Sequence, residues 1–289
     1  MTSIIFGANG QDGFYLTRLL QQQNHKVIGV SRGGDFLKTD ITDYEAVSAL
    51  FKQYQPDRIF HLAANSTTRH DAIFENHDTI STGTITILEA AKNFSPNAKV
   101  FISGSGLQFE NNDLPIKETD PFKANDAYSI ARIQSVYAAR YFRTLNLKVY
   151  VGYFFNHESP LRTERHLCKK ISEAVCRIEK GSNELIEIGD ADAIKEYTYA
   201  NDVMEGLIRF VNQDTIFEAN LGSGIGYSIK DWMHACFTLT GKNWENHFIK
   251  KEGFKAPYKQ LVSDPAIIQS LGWYPATSIE QLAKMMMNK

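Results

Sequence analysis

Short apolar runs alternate with longer amphipathic stretches through the first half of the chain. The runs predict strands at 4–6, 27–30, 58–62, 100–103 and 148–154. Apolar residues recur at helical spacing between them, which predicts helices at 11–23, near 46–54, near 80–91 and at about 127–145. Because strands that alternate with helices form parallel βαβ units, the pattern predicts an α/β fold with a Rossmann-like, doubly wound parallel sheet.

The pattern loosens after residue 156, where helical stretches near 164–179, 201–212 and 228–239 are separated by glycine-bearing turns. We therefore expect a dinucleotide-binding domain over residues 1–155 and a smaller α/β substrate lobe over residues 156–289. Some of the later chain is expected to return to the first domain.

Composition narrows the class of protein. The chain has 289 residues, of which 43% are hydrophobic and 22% charged, with a formal net charge of -2. This balance gives no reason to expect a nucleic-acid or membrane partner. No basic or apolar targeting segment precedes the first strand, and no apolar run reaches the roughly 18 residues of a membrane span, so we expect a cytoplasmic protein.

Cysteine and histidine positions predict no metal site. Cys168, Cys176 and Cys236 are odd in number and widely spaced, and none has a histidine at ligand spacing. We expect three free thiols in a reducing compartment.

A glycine-rich turn joins the first predicted strand to the first helix. Its first glycine permits a tight turn, its second lets backbone approach a pyrophosphate, and its third lets helix and strand pack closely. The N–H groups at the helix start then face the phosphates. The predicted cofactor residues here are Gly7, Asn9, Gly10, Gln11, Asp12 and Gly13.

The end of the second strand bears on the choice of cofactor. An NAD site usually places a carboxylate there, whereas this chain has Ser31 and Arg32, and Asp35 comes too late. A guanidinium suits a 2′-phosphate, so we expect NADP(H); a solvated loop charge is the alternative reading of Arg32. Later strand ends add predicted groove residues, namely Asp40, Ile41, Leu62, Ala63 and Ala64.

Several segments resemble the extended short-chain dehydrogenase/reductases. They are residues 61–66, the segment around Ser105, Tyr128, and the Phe-Asn-His-Glu-Ser-Pro block at 155–160. That block, like the Gln-Asp-Gly turn, is close to a hallmark of GDP-mannose 4,6-dehydratases. Residues 189–203, 264–265 and 271–273 extend the likeness over nearly the whole chain.

The resemblance implies a Ser-Tyr-Lys set in which tyrosine exchanges a proton while a nicotinamide exchanges hydride. Ser105 and Tyr128 match the first two members, but the lysine position holds Arg132. A phenol has an ordinary pKa of about 10, so a fixed positive charge is needed beside it near neutrality. Arg132 supplies charge with a bulkier planar group. Ser103, Phe155 and His157 are further cofactor residues implied by the resemblance.

A second departure concerns the reaction. Dehydratases of this family carry a glutamate two residues after the Ser/Thr, where it removes the C5 proton, and the matching residue here is Leu107. Loss of the 6-hydroxyl by that route is therefore not expected, unless Glu110 reaches the site.

At the substrate end, the resemblance implies that Asn156 holds a phosphate, and nearby cations suit a diphosphate. The predicted substrate residues are Ser66, Asn156, Arg162, Lys169, Lys170 and Lys195, the last standing where relatives carry arginine. A GDP-sugar is favoured as substrate. Relatives often pair through the helix that carries the tyrosine, so the resemblance implies a homodimer.

Three functions follow from these observations. The leading hypothesis is NADPH-dependent reduction of a 4-keto (6-deoxy) nucleotide-diphosphate sugar. A nucleotide-sugar dehydratase or epimerase similar to GDP-mannose 4,6-dehydratase is the alternative. A protein that binds the cofactor for sensing, with little turnover, is the third, because fold does not dictate chemistry.

Overall fold

The computed structural model describes residues 1–254 and 256–289. Strands and helices alternate through the first half, as the apolar pattern predicts. In chain order they are β1 (Thr2–Phe6), α1 (Gln11–Gln22), β2 (Lys26–Val30), α2 (Tyr44–Tyr54), β3 (Arg58–His61), α3 (Ile73–Asn76), α4 (Gly83–Phe94), β4 (Lys99–Ser105), α5 (Ala127–Thr144) and β5 (Lys148–Phe154).

Shorter strands and helices make up the second half. They are β6 (His157–Glu158), α6 (Leu167–Glu179), β7 (Ile186–Ile188), β8 (Ile194–Glu196), β9 (Thr198–Tyr199), α7 (Ala200–Val211), β10 (Glu218–Leu221), β11 (Gly226–Ser228), α8 (Ile229–Thr238), β12 (Phe248–Lys250), β13 (Gln260–Leu261), α9 (Ala266–Ser270) and α10 (Ile279–Met286). Three of these strands form a small sheet in the order β11-β8-β13.

The main sheet has six parallel strands in the order β2-β1-β3-β4-β5-β10. The predicted doubly wound α/β fold is confirmed. Its last strand, β10, comes from beyond residue 156, so the later chain completes the sheet that the first half begins. Because all carboxyl ends of the strands lie at one edge, the turns after β1, β2, β3, β4 and β5 meet there.

Apolar side chains cover both faces of the main sheet. One face packs against α2, α4 and α5 through Phe51, Ile87 and Val136. The other packs against α1 and α7 through Leu16 and Leu207. A separate core joins α6, α8 and α10 in the second half; it includes Ile171, Val175, Trp232, Met233 and Leu282.

Local signals explain where some helices begin. Asp126 accepts hydrogen bonds from the Tyr128 and Ser129 backbone N–H groups, so α5 begins at the predicted position. The helix predicted from residue 164 begins instead at Leu167, because hydrogen-bonded turns occupy residues 159–166. Residues 77–82, predicted partly as helix, form a π-helical segment ahead of α4.

Further features bear on the expectations from composition. The three cysteines are free thiols, with Cys168 and Cys236 buried. No helix within residues 1–254 and 256–289 is both long and apolar enough to cross a membrane. Over the same residues, no cluster of potential metal ligands is found.

Candidate functional site

Two cavities lie along the carboxyl edge of the main sheet and meet at the glycine turn. The larger, about 1110 Å³, follows the ends of β1, β2 and β3. The smaller, about 250 Å³, lies over the ends of β4 and β5. Gly7, Gly10, Leu62 and Ala64 line both. Together the cavities form one long groove of the kind that binds an extended dinucleotide.

The glycine turn leaves no space for side chains. Gly7 has φ +90°, and a Cβ there would lie 2.7 Å from the Ala63 backbone nitrogen. A Cβ on Gly13 would collide with the Gly7 carbonyl oxygen. No side chain caps the start of α1, so its first N–H groups remain available to an anion. This cradle fits the diphosphate of a nicotinamide dinucleotide.

The far end of the larger cavity carries mixed charge. Arg32 is exposed and forms an ion pair with Glu75 at 3.0 Å. Glu75 also accepts a hydrogen bond from Asn65, and these bonds lower its pKa. Lys38 donates to the backbone carbonyls of Arg32 and Gly34 and lines the same cavity. Two cations therefore stand where the second strand ends.

Tyr128 and Arg132 face the smaller cavity from the first two turns of α5. Their spacing of four residues places them on one helix face. The Arg132 guanidinium carbon lies 4.9 Å from the centre of the Tyr128 ring. Ser105, at the end of β4, lines the same cavity as both. The structure thus brings together the Ser-Tyr-Arg set expected from the resemblance.

Arg132 is a buried cation held by neutral groups. It is 4% exposed, and its Nη1 donates to the Ser103 carbonyl and, at 2.7 Å, to the Ser103 hydroxyl. Burial and the nearby Arg132 charge lower the pKa of His61 to about 3, so that ring is neutral. The Arg132 Nε atom is buried without a hydrogen-bond partner. This guanidinium can therefore donate a further hydrogen bond to an acceptor on a ligand.

Apolar residues form the wall beside the Ser-Tyr pair. Leu107 and Leu261 line the smaller cavity, and Tyr258 joins them. Glu110 does not line this cavity; its carboxylate lies 3.3 Å from Lys123. Among the described residues, Asp12 is the one acidic residue on the cavity lining. Apart from Asp12, the described residues therefore place no carboxylate on the smaller cavity that could take a proton from a sugar carbon.

Asn156 and Arg162, two of the predicted substrate residues, line the smaller cavity. The Asn156 Oδ1 and Arg162 Nε atoms are buried and have no partner. Arg162 lies 3.6 Å from the Glu158 carboxylate, whose pKa is raised by burial. These unpaired polar atoms suit a polar ligand such as a phosphate.

Three predicted substrate residues, Lys169, Lys170 and Lys195, do not line either cavity. Lys169 is buried beside the second core, where its Nζ pairs with Glu173 and donates to the Met286 carbonyl. Lys170 is exposed on the same helix. Lys195 lies behind Tyr258, 5.8 Å from its ring centre, and does not line the cavity.

Asp12 and His157 contact each other across the groove, with Nε2 of His157 2.8 Å from Oδ1 of Asp12. Burial opposes ionisation of Asp12, but the charge and hydrogen bond of His157 outweigh it and hold the pKa of Asp12 well below its usual range. Burial likewise opposes protonation of His157, and Asp12 outweighs it, so the pKa of His157 is raised. Both residues are predicted cofactor contacts, and in the structure they contact each other.

The remaining predicted cofactor residues all line one of the two cavities. Those on the larger are Asn9, Ser31, Arg32, Asp40, Ile41 and Ala63. Those on the smaller include Gln11, Gly13, Ser103 and Phe155, beside Ser66 from the predicted substrate set. The sequence gives no indication of Lys38, Glu75, Tyr258 and Leu261, since each reaches the groove from a loop, a short strand or the one-turn helix α3, with no motif of its own.

The fold and site together are those of the extended short-chain dehydrogenase/reductases. The chain belongs to the GDP-mannose 4,6 dehydratase family, whose sequence profile matches residues 31–286. GDP-mannose 4,6 dehydratase 1 of Arabidopsis thaliana is 26% identical over 99% of this chain and 89% of its own length.

Solved structures of low identity share the fold. UDP-glucose 4-epimerase of Thermotoga maritima, solved with UDP-glucose, has a TM-score of 0.86 and 22% identity over 100% of this chain and 98% of that one. RMD of Pseudomonas aeruginosa, complexed with NADPH, has a TM-score of 0.85 and 19% identity over 99% of this chain and 96% of that one. A nicotinamide dinucleotide is thus bound by a neighbour that has this fold.

Proposed function

We propose that this chain is an NADP(H)-using enzyme that removes and returns hydride at C4 of a GDP-sugar. The observation that carries the proposal is the Tyr128–Arg132 pair beside Ser105, at the mouth of a dinucleotide groove in a chain of this family. The relative from Arabidopsis thaliana is by its name a GDP-mannose dehydratase. Residues 156–162 are proposed to hold the sugar diphosphate.

The roles of the side chains follow from their positions. A bound nicotinamide supplies the hydride acceptor or donor. Tyr128 exchanges the proton of the sugar oxygen, and Ser105 orients that oxygen by a hydrogen bond. Arg132 places a positive charge against the Tyr128 ring and bonds Ser103, which fixes the charge in the wall of the cavity. Burial strengthens the effect of that charge.

Arg32 and Lys38 support the preference for NADP(H), because both can pair with a 2′-phosphate. Titrating the protein with NADPH and NADH, followed by cofactor fluorescence, tests this preference. We expect tighter binding of NADPH. Tighter binding of NADH contradicts it.

The outcome of the reaction separates two candidates. The family relationship favours a reaction that recycles the cofactor, as dehydratases and epimerases do, over net reduction. Leu107 argues against loss of water from C6, since it has no proton to exchange. The favoured product from a GDP-sugar is therefore an isomer, formed through a transient 4-keto sugar.

Net reduction of a 4-keto, 6-deoxy GDP-sugar is the second candidate, and the apolar wall at Leu107 and Leu261 favours it by suiting a methyl group. Product mass spectrometry and NADPH absorbance distinguish the two. Isomerisation leaves substrate mass and NADPH unchanged, whereas reduction consumes NADPH. If the protein binds NADP(H) and a GDP-sugar but converts no GDP-sugar, the result favours a sensing protein.

Two matched variants test whether Leu107 prevents loss of water because it lacks a carboxylate. Leu107→Glu places a carboxylate on the cavity wall, so we expect the variant to release a product lighter by one water. Leu107→Gln is the control, because it has similar size and polarity but cannot act as a base at neutral pH. Equal products from both variants contradict the assignment.

We also propose that two copies pair through α5. Its outer face exposes Ile130, Tyr137 and Tyr141 at helical spacing, and Phe74 of α3 is 81% exposed. Apolar side chains in such a row are typical of an interface.

A further inference from the structure

Two side-chain contacts join the glycine turn to the loop after β5. The Ser159 hydroxyl donates to Gln11 Oε1 at 2.7 Å, and His157 contacts Asp12 at 2.8 Å. Gln11 and Asp12 form the start of α1, where the dinucleotide diphosphate is proposed to bind. The loop partners lie beside Asn156, at the substrate end. The two ends of the groove are thus connected through side chains.

The hydrogen-bond partners fix the protonation state of His157. Its Nδ1 lies 2.7 Å from the Phe155 carbonyl oxygen, and its Nε2 faces the Asp12 carboxylate. Both partners only accept hydrogen bonds, so each ring nitrogen must carry a hydrogen. The side chain is therefore an imidazolium, 8% exposed, that faces an ionised carboxylate.

The positive charge of His157 is important because of where Asp12 lies. A carboxylate in the first turn of a helix is normally favourable, because the N-terminus is positive. Here the same N-terminus is the anion site, and an uncompensated carboxylate beside it repels a diphosphate. His157 is the closest positive group to Asp12, and Arg162 adds a weaker attraction.

We propose that the His157 imidazolium neutralises the Asp12 carboxylate at the phosphate-facing end of α1, and that dinucleotide binding therefore requires His157 to be protonated. His157 is on this account a positioning residue that acts through Asp12. The inference rests on the proposed function in one respect, that α1 holds a dinucleotide diphosphate.

Besides Asp12, the charged or titratable groups that face His157 are Arg162, His166 and Glu158. Burial and the neighbouring cations Arg162 and Arg165 lower the pKa of His166 to about 4. Burial raises the pKa of Glu158, the remaining charged neighbour. Because the folded protein raises the pKa of His157 above 6.5, the ion pair is fully present below pH 6.5 and is lost as the pH rises through the higher value.

The experiment measures dissociation constants of NADP(H) and NAD(H) by calorimetry from about pH 6.5 to about pH 9.5, with GDP as a second ligand. The variants are His157→Gln, Asp12→Asn and the double variant that carries both changes. His234→Gln, which alters an exposed histidine on α8, is the matched control. Circular dichroism confirms that each variant is folded.

We expect His157→Gln to weaken dinucleotide binding about tenfold or more at pH 7, because it leaves Asp12 charged and unpaired. The double variant removes both charges and recovers most of that loss. Wild-type affinity falls as pH rises, whereas that of the double variant stays level.

A double variant that binds as weakly as His157→Gln overturns the inference, as does a wild-type affinity that is level across the range. In both cases dinucleotide binding itself remains, so the proposed function stands. A wild type that binds neither NADP(H) nor NAD(H) at any pH removes the proposed function and this inference together.

Discussion

At the scale of single residues, the contact between Tyr128 and Arg132 concentrates the chemistry in one place. The capping box at Asp126 and Ser129 fixes the first turn of α5, so the tyrosine has little freedom to turn away. Arg132 follows one turn later and bonds Ser103, which in turn donates to the His61 carbonyl at 2.9 Å. The proposed proton donor and its supporting charge thus lie on one helix that is held against β4.

Tyr128→Phe tests the proton-transfer role. It removes one hydroxyl and keeps the ring against Arg132, so we expect turnover to fall about a hundredfold or more while dinucleotide binding is retained. Steady-state rates and a fluorescence titration measure the two effects. Tyr137→Phe on the outer face of α5 is the control, and unchanged turnover in Tyr128→Phe excludes the proposed chemistry.

At the scale of elements, β10 is held in the sheet by a charged cluster. The Glu218 carboxylate accepts hydrogen bonds from Arg140 at 2.8 and 2.9 Å and from Arg143 at 2.6 Å, and the Tyr153 hydroxyl also donates to it. The cluster ties β10 to α5 and β5. Burial opposes ionisation, but the arginine and tyrosine bonds outweigh it and lower the pKa of Glu218 to about 2.

Glu218→Gln therefore destabilises the fold. Removing the charge leaves two arginines short of a partner, and we expect a loss of about 2–3 kcal/mol in the free energy of unfolding. Urea denaturation at pH 7 measures it. Glu164→Gln, which breaks an exposed pair with Arg177, is the control and costs less than about 1 kcal/mol.

The same cluster makes the stability of the fold depend on pH in the acid range. Because the pKa of Glu218 falls from 4.5 to about 2 on folding, its contribution is present above pH 4.5 and is lost as the pH falls towards 2. The melting temperature of the wild type will fall as the pH is lowered across this range, and that of Glu218→Gln will fall less. Parallel curves for the two proteins refute the assignment.

At the scale of the whole molecule, the apolar row on α5 predicts a dimer. Tyr141 is 59% exposed, and Tyr141→Arg places a charge where a second copy would pack. We expect light scattering to report a dimer for wild type and a monomer for the variant. Tyr274→Arg alters a residue that is 63% exposed elsewhere and is the control. A wild-type monomer removes the proposal.

The sequence predicts the sheet and the glycine turn well because both depend on residues that are close together in the sequence. Strand and helix periods, the Asp126 cap and the glycines of the first turn are short-range signals. Lys169 shows where such signals fail: its charge suggested a ligand, but tertiary packing directs it to Glu173 and Met286. The Asp12–His157 contact spans 145 residues and has no local signal.

The sixth strand of the main sheet has a consequence for synthesis. A ribosome that has released the first five strands still has more than sixty residues to add before Glu218–Leu221 can dock on β5. Until then β5, an interior strand of the finished sheet, is an exposed edge strand, which is a template for aggregation. Slow translation of the second half should therefore lower soluble yield, and a holdase chaperone should restore it.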